Sequence, residues 1–169
     1  MQKIRFDLNG EEVEAEFEPG ETALDVLKER LNVVDVKRGC DEGQCGACTV
    51  LLDGKPVLSC LLPAQKLNGR SVRTLSGLMS ESRMRALSEE FVKETAFQCG
   101  YCTSGFLITI YSFIEDRLRR GDVQEDDEAL RKELNDALVN NICRCGAYKE
   151  IERAALRSFK LALGEKEDR

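Results

Sequence analysis

A chain of 169 residues is long enough for one ordinary domain or two small ones. A formal charge of −6, with the few basic groups (Lys37-Arg38, then Arg117, Arg119 and Arg120) interleaved with acids, argues against a nucleic-acid or anionic-lipid surface. No apolar run approaches membrane-span length, and the absence of histidine excludes Rieske-type clusters, Cys2His2 zinc and any catalytic arrangement built on imidazole.

Met1-Gln2-Lys3-Ile4-Arg5-Phe6 alternates as a strand does, unlike the continuous apolar core of an export signal. Residues 2–9 and 12–18 continue the alternation (Ile4, Phe6, Leu8; then Val13, Ala15, Phe17) around Asn9-Gly10, a strong hairpin signal. Pro19-Gly20 ends the second strand. Thr22 is then placed to cap a helix with Leu24, Leu27 and Leu31 on one face. A second hairpin is predicted from Thr49-Val50-Leu51-Leu52 to Val57-Leu58 about Asp53-Gly54, and Ser71 to Leu75 reads as a last short strand.

Strand signals stop near Ser76, which places a boundary between about 76 and 84 and gives two domains, 1–78 and 79–169. Met84, Leu87 and Phe91 share one helical face, and the stretch from Phe91 to Phe97 reads as helical. From Thr103, the residues Phe106, Leu107, Ile108, Ile110, Tyr111, Phe113 and Ile114 are apolar on nearly every side, as in a buried helix. Gly121 closes it after three arginines that suit the negative end of its dipole. Leu130, Leu134, Ala137 and Leu138 predict a third helix, and Ile151, Ala155, Phe159 and Ala162 a fourth. The tail from Gly164 is charged and expected to fray. The fold class is α+β: a β-grasp, plant-type ferredoxin-like N-terminal domain followed by a four-helix-bundle domain.

The eight cysteines divide into two sets of four. Cys40, Cys45 and Cys48 follow the C-x4-C-x2-C spacing of a plant-type [2Fe-2S] loop, with Cys60 as the fourth thiolate. Gly39, Gly43 and Gly46 let such a loop turn its N–H groups toward anionic sulfur. A structural zinc site fits this set less well, because four-cysteine zinc sites usually pair two short knuckles. Cys99, Cys102, Cys143 and Cys145 form the second set. Cys99-Gly100-Tyr101-Cys102 alone would also suit a thioredoxin-like dithiol, but that expects a preceding strand and a βαβ context. A Cys143–Cys145 disulfide would be a short, strained ring, so ligation is the easier account. Helix N-termini at Thr103 and near Tyr148 would direct positive dipole ends at an anionic group. Thiols in this number, without an export signal, point to a reducing, cytoplasmic setting.

These motifs resemble those of the iron–sulfur subunit of the molybdenum hydroxylases, the family of xanthine oxidase, aldehyde oxidoreductase and carbon monoxide dehydrogenase. The residues that carry the resemblance are Cys40-x4-Cys45-Gly46-x-Cys48-Thr49-Val50, Cys60, Gln98-Cys99-Gly100-Tyr101-Cys102-Thr103, and Asn141-Ile142-Cys143-Arg144-Cys145 with Tyr148, spanning residues 3 to 160. The resemblance implies two [2Fe-2S] clusters that pass electrons between a molybdopterin in a large partner subunit and an FAD in a medium one. It implies a heterotrimer or its dimer, with no substrate chemistry in this chain. The cluster at Cys99, Cys102, Cys143 and Cys145 would lie nearest the pterin, approached by Gln98 and Cys145, and the Cys40 cluster toward the flavin. Ser104 stands where the family often has Pro, and Gly146-Ala147 where it often has Thr-Gly. A free-standing carrier or redox sensor, and a zinc-stabilised interaction module, are the other classes these residues allow.

Overall fold

The computed structural model describes residues 1–121 and 126–164. The charged tail after Gly164 lies outside the described residues. Strands β1 (Gln2–Leu8) and β2 (Glu11–Phe17) pair antiparallel with Ile4 opposite Ala15 and Phe6 opposite Val13. Asn9 and Gly10 both have positive φ, 57° and 92°, as a two-residue hairpin turn requires. β3 (Thr49–Leu52) and β4 (Lys55–Leu58) form the second hairpin over Asp53-Gly54. β5 (Ser71–Arg73) sits between the hairpins, parallel to β1 and antiparallel to β3, giving a mixed sheet in the order β2-β1-β5-β3-β4.

Helix α1 (Ala23–Asp25) runs into a wider π-helical turn, Val26–Arg30. Thr22 caps it as expected. The Thr22 hydroxyl accepts from the Asp25 N–H at 3.2 Å and the Asp25 carboxylate accepts from the Thr22 N–H at 2.7 Å, a reciprocal capping box. Leu24, Val26 and Leu27 bury against Ile4, Phe6, Phe17, Val50 and Val72. Leu31 is the cap residue after the π turn rather than a helical one, and is half-buried against the same core.

The expected strand from Ser71 to Leu75 is shorter. The Asn9 side chain takes the Thr74 N–H (2.8 Å) and donates to the Thr74 hydroxyl (3.1 Å), so Thr74 leaves the ladder and starts the short helix α2 (Leu75–Leu78). Helices α3 (Ser82–Lys93), α4 (Thr103–Arg120), α5 (Asp127–Ala137) and α6 (Tyr148–Ala162) follow. Met84, Leu87, Phe91, Phe106, Ile108, Ile110, Ile114, Leu130, Leu134, Ile151 and Phe159 share a second core, which Leu51 of β3 joins. Gly121 ends α4 in the left-handed conformation. The segment from Phe91 to Phe97 is helical only as far as Lys93; Thr95, at φ 53°, turns the chain away toward Gln98 and Cys99. The architecture is α+β. Among the described residues no helix is long and apolar enough to cross a membrane.

Candidate metal centres

The first site is the loop between the π turn and β3. The Cys40 sulfur accepts N–H groups from Glu42 (3.5 Å) and Gln44 (3.3 Å). Burial acts most strongly on this thiol and pushes its pKa up, but those N–H groups, joined by Cys45, outweigh it and hold Cys40 at about 7. Cys45 lies beside Cys40, its thiol raised chiefly by burial. Cys60, just beyond β4, faces Cys48 and is pushed up to about 12, first by burial and then by that neighbour. The glycines are needed for space as well as for φ. A Cβ on Gly39 would come within 2.5 Å of the Cys45 sulfur, and one on Gly43 (φ +78°) would strike the Leu61 side chain. Arg38 pins the loop to the start of α1, bonding both carboxylate oxygens of Asp41 and, at 2.6 Å, the capping Asp25.

The second site gathers the turn before α4 and the turn before α6. Cys99 pairs with Cys145 and Cys102 with Cys143, a crossed arrangement in which each segment gives one thiol to each pair. The Tyr101 N–H, and secondarily Cys145, pull the exposed Cys99 thiol down. Burial, then Cys143, pushes Cys102 up to about 12. Gln98 donates its side-chain amide to the Cys145 carbonyl at 3.1 Å. The Tyr148 hydroxyl accepts the Cys143 N–H at 2.9 Å while its ring packs edge-on against Phe106. The expected N–H groups at the start of α4 are partly committed elsewhere: Thr103 N–H bonds the Gly100 carbonyl.

The two sites share a seam. Ile142 N–H donates to the Cys45 carbonyl at 3.0 Å, and the Tyr101 hydroxyl donates to the Arg38 carbonyl at 2.7 Å. A side chain on Gly105 would collide with the Gly46 carbonyl, and one on Gly46 with Asn140 and, at 2.6 Å, with the Asn141 amide. Sequence reasoning singled out the cysteines but did not foresee these ties. Tyr101 and Tyr148 carried a signal, as polar aromatics inside cysteine motifs; the Ile142–Cys45 bond is pure backbone and carried none.

The donor set suits iron–sulfur groups. All eight thiols are free, and they stand in pairs. Among the described residues no three cysteine or carboxylate side chains converge as a single-ion site requires. Four thiolates spread over two irons have no such requirement. The Thr103 and Ser104 hydroxyls and the Asn141 amide nitrogen are buried without a partner among the described residues, all within two residues of Cys102 or Cys143 in sequence. Orphaned polar atoms beside a sulfur-rich site mark the place of a group that can take their hydrogen bonds.

Residues 6–75 match the 2Fe-2S iron-sulfur cluster binding domain and residues 74–156 the [2Fe-2S] binding domain. Fold and site thus define an iron–sulfur protein with two [2Fe-2S]-binding domains. The aldehyde oxidoreductase iron-sulfur-binding subunit PaoA of Escherichia coli K12 is 37% identical over 98% of this chain and 73% of its own length. The 6-hydroxypseudooxynicotine dehydrogenase complex subunit beta of Paenarthrobacter nicotinovorans is 36% identical over 93% of each chain. Quinoline 2-oxidoreductase from Pseudomonas putida 86 superposes with a TM-score of 0.81 at 32% identity, covering 98% of both chains. Aldehyde oxidoreductase from Desulfovibrio gigas gives 0.82 at 28% identity, this chain matching 18% of that longer one. The chain belongs to the iron–sulfur subunits of the molybdenum hydroxylases, the electron-transfer subunits of oxidoreductase complexes.

Proposed function

We propose that Cys40, Cys45, Cys48 and Cys60 hold one [2Fe-2S] group, that Cys99, Cys102, Cys143 and Cys145 hold the other, and that the chain carries electrons between a molybdopterin and an FAD in partner subunits. The observation that supports this reading is that the eight free thiols stand in pairs, Cys40 with Cys45, Cys48 with Cys60, Cys99 with Cys145 and Cys102 with Cys143, the two sites being joined by the Ile142–Cys45 hydrogen bond. Each group, when bound, supplies a one-electron carrier. The protein's part is to position the thiolates, exclude water and stabilise negative sulfur. Glu42 and Gln44 N–H groups do the last at Cys40, and the Tyr101 N–H does it at Cys99. Burial of Cys48, Cys60 and Cys143 excludes water.

The reading extends to neighbours. Gln98 and Cys145, joined by their hydrogen bond and lying beside the exposed Cys99, are the residues that would approach the pterin. The Cys40 loop, rimmed by the exposed Leu61, would face the flavin subunit. Gly43 and Gly46 hold the first group's loop open for sulfur. The finer architecture goes with this: a β-grasp domain over residues 1–78, supported by the mixed sheet under α1, and a four-helix domain over residues 79–169, supported by the shared core of α3 to α6. The partners would be a large molybdopterin-binding and a medium FAD-binding subunit, in a heterotrimer or its dimer. The free thiols support a cytoplasmic setting.

The test is metal analysis with co-purification. Protein expressed with full cluster assembly should hold about four irons and about four acid-labile sulfides per chain, and should travel with a molybdenum-containing chain. A colourless, zinc-replete chain would refute the ligand assignment. A monomer that keeps both groups and serves a separate reductase would refute the partner assignment.

A further inference from the structure

Cys143 belongs to no helix or strand, and its residue is 5% exposed. A buried backbone N–H must find an acceptor, ordinarily a carbonyl of a helix or sheet ladder. The Cys143 carbonyl takes the Gly146 N–H at 3.2 Å, in a turn where Gly146 stands at φ +82°. The Cys143 N–H goes to a side chain instead, the Tyr148 hydroxyl, at 2.9 Å. Tyr148 is the first residue of α6, so the segment from Cys143 to Tyr148 closes back on its own beginning.

The same side chain reaches the other arm of the site. Its ring meets Phe106 edge-on, with centroids 6.4 Å apart and planes at 71°. Phe106 is buried, and its N–H donates to the Cys102 carbonyl at 3.2 Å as α4 begins. A continuous set of contacts thus runs from the Cys143 amide through Tyr148 and Phe106 to Cys102, the residue whose thiol Cys143 faces. Ligands from distant segments serve one metal group only if neighbouring bonds fix their orientation. A tyrosine spans such a gap at small entropic cost, having only two side-chain torsions. The first site has its own tie: Ser59, beside Cys60, donates its hydroxyl (2.7 Å) and its N–H (3.3 Å) to the Cys48 carbonyl.

We infer that Tyr148 is a positioning residue of the second site: its hydroxyl on the Cys143 N–H and its ring on Phe106 set the Cys143 thiol against Cys102. It acts through the Cys143 backbone and needs no contact with the metal group itself. Without the hydroxyl, a buried N–H loses its acceptor and the thiol's backbone is no longer pinned. The second site then holds its iron less firmly and in more than one geometry, while the first site is untouched. The inference rests on the second quartet being the ligand set.

The experiment times iron release to bathophenanthroline under dithionite from the cluster-loaded protein as purified with its partners. Frozen samples are read by electron paramagnetic resonance, the second-site signal being identified by its loss in Cys102→Ser. Tyr148→Phe keeps the ring and removes the hydroxyl. It should release second-site iron about fivefold faster than wild type, the rate equivalent of one ordinary hydrogen bond, and broaden the second-site signal. The first-site rate and line shape should not move. Ile151→Val is the packing control, loosening the same helix by one buried methylene with the hydroxyl in place; it should leave both second-site readings at wild type. A Tyr148→Phe chain purified with the second site empty and the first filled would support the inference equally. An unmoved second-site rate or line shape in Tyr148→Phe overturns it, as does equal loss at both sites or the same changes in Ile151→Val. A wild-type chain with no second-site signal would instead overturn the ligand assignment beneath it, a different and separately visible result.

Discussion

The amide of Ile142 and the carbonyl of Cys45 meet at 3.0 Å, so the residue preceding Cys143 is bonded to a thiol-bearing residue of the other quartet. One hydrogen bond therefore completes a continuous run of bonds from the first set of sulfurs to the second. Electrons tunnel more readily along bonded paths than across gaps, so on the proposed ligand assignment this contact would serve the electron path as well as the scaffold.

Gly46 lies under this contact, at φ +69° with Asn140 and Asn141 where a side chain would go, whereas Gly146, at φ +82°, faces open space. Gly146→Ala should cost about 1 kcal/mol, the conformational penalty alone. Gly46→Ala carries the same penalty plus the displacement of a packed backbone and should cost at least about 2 kcal/mol. Urea titration of the two variants measures the difference, and equal midpoints would show that the seam yields freely.

Tyr101→Phe removes one hydroxyl and leaves the ring. The Tyr101–Arg38 bond is on a partly exposed side chain, so its loss should lower stability by about 1 kcal/mol or less. The urea midpoint should fall with an unchanged slope; a changed slope would show that the two halves separate as distinct units.

Cys102→Ser should abolish one of two reduced-state paramagnetic signals and lower iron from about four to about two per chain, leaving the Cys40-containing group intact. Loss of both signals would mean that the halves cannot assemble separately.

Iron-free protein should be sensitive to alkali. Cys60 and Cys102 stand at about 12 in the fold against an ordinary value of 9.0, so they favour the fold while protonated. That contribution is complete below pH 9 and is lost as pH rises toward 12. Cys40, held at about 7, acts in the opposite sense, its contribution present above 9 and lost as pH falls through 7. The melting temperature of the iron-free chain should therefore fall between pH 9 and 12, and the fall should be much smaller once metal has displaced the protons. A flat profile for the iron-free chain would show that the buried thiols ionise without cost.

Local pattern made much of this chain legible. Asn9-Gly10 and Asp53-Gly54 marked both hairpins, Thr22 marked its cap, and the cysteine motifs pointed to the two [2Fe-2S]-binding domains. Contacts between segments distant in sequence were not legible. Asn9 reaches Thr74 and cuts the last strand short, a side-chain bond that overrides the strand pattern read at 71–75. The parallel pairing of β1 with β5 and the crossed pairing of Cys99 with Cys145 depend on tertiary closure, which periodicity does not encode. The end of α3 at Lys93 depends on Thr95 adopting φ 53°, a conformation threonine seldom takes and its sequence does not advertise.

Gly105 has a consequence for anyone who would recombine such subunits. Because any side chain there would strike the Gly46 carbonyl, the front half of this chain can be grafted only onto a rear half whose α4 helix carries the same bare α-carbon. Chimaeras made with a bulkier residue at that site should misassemble however well each module is chosen. Interchangeability between relatives is thus limited by a single hydrogen atom.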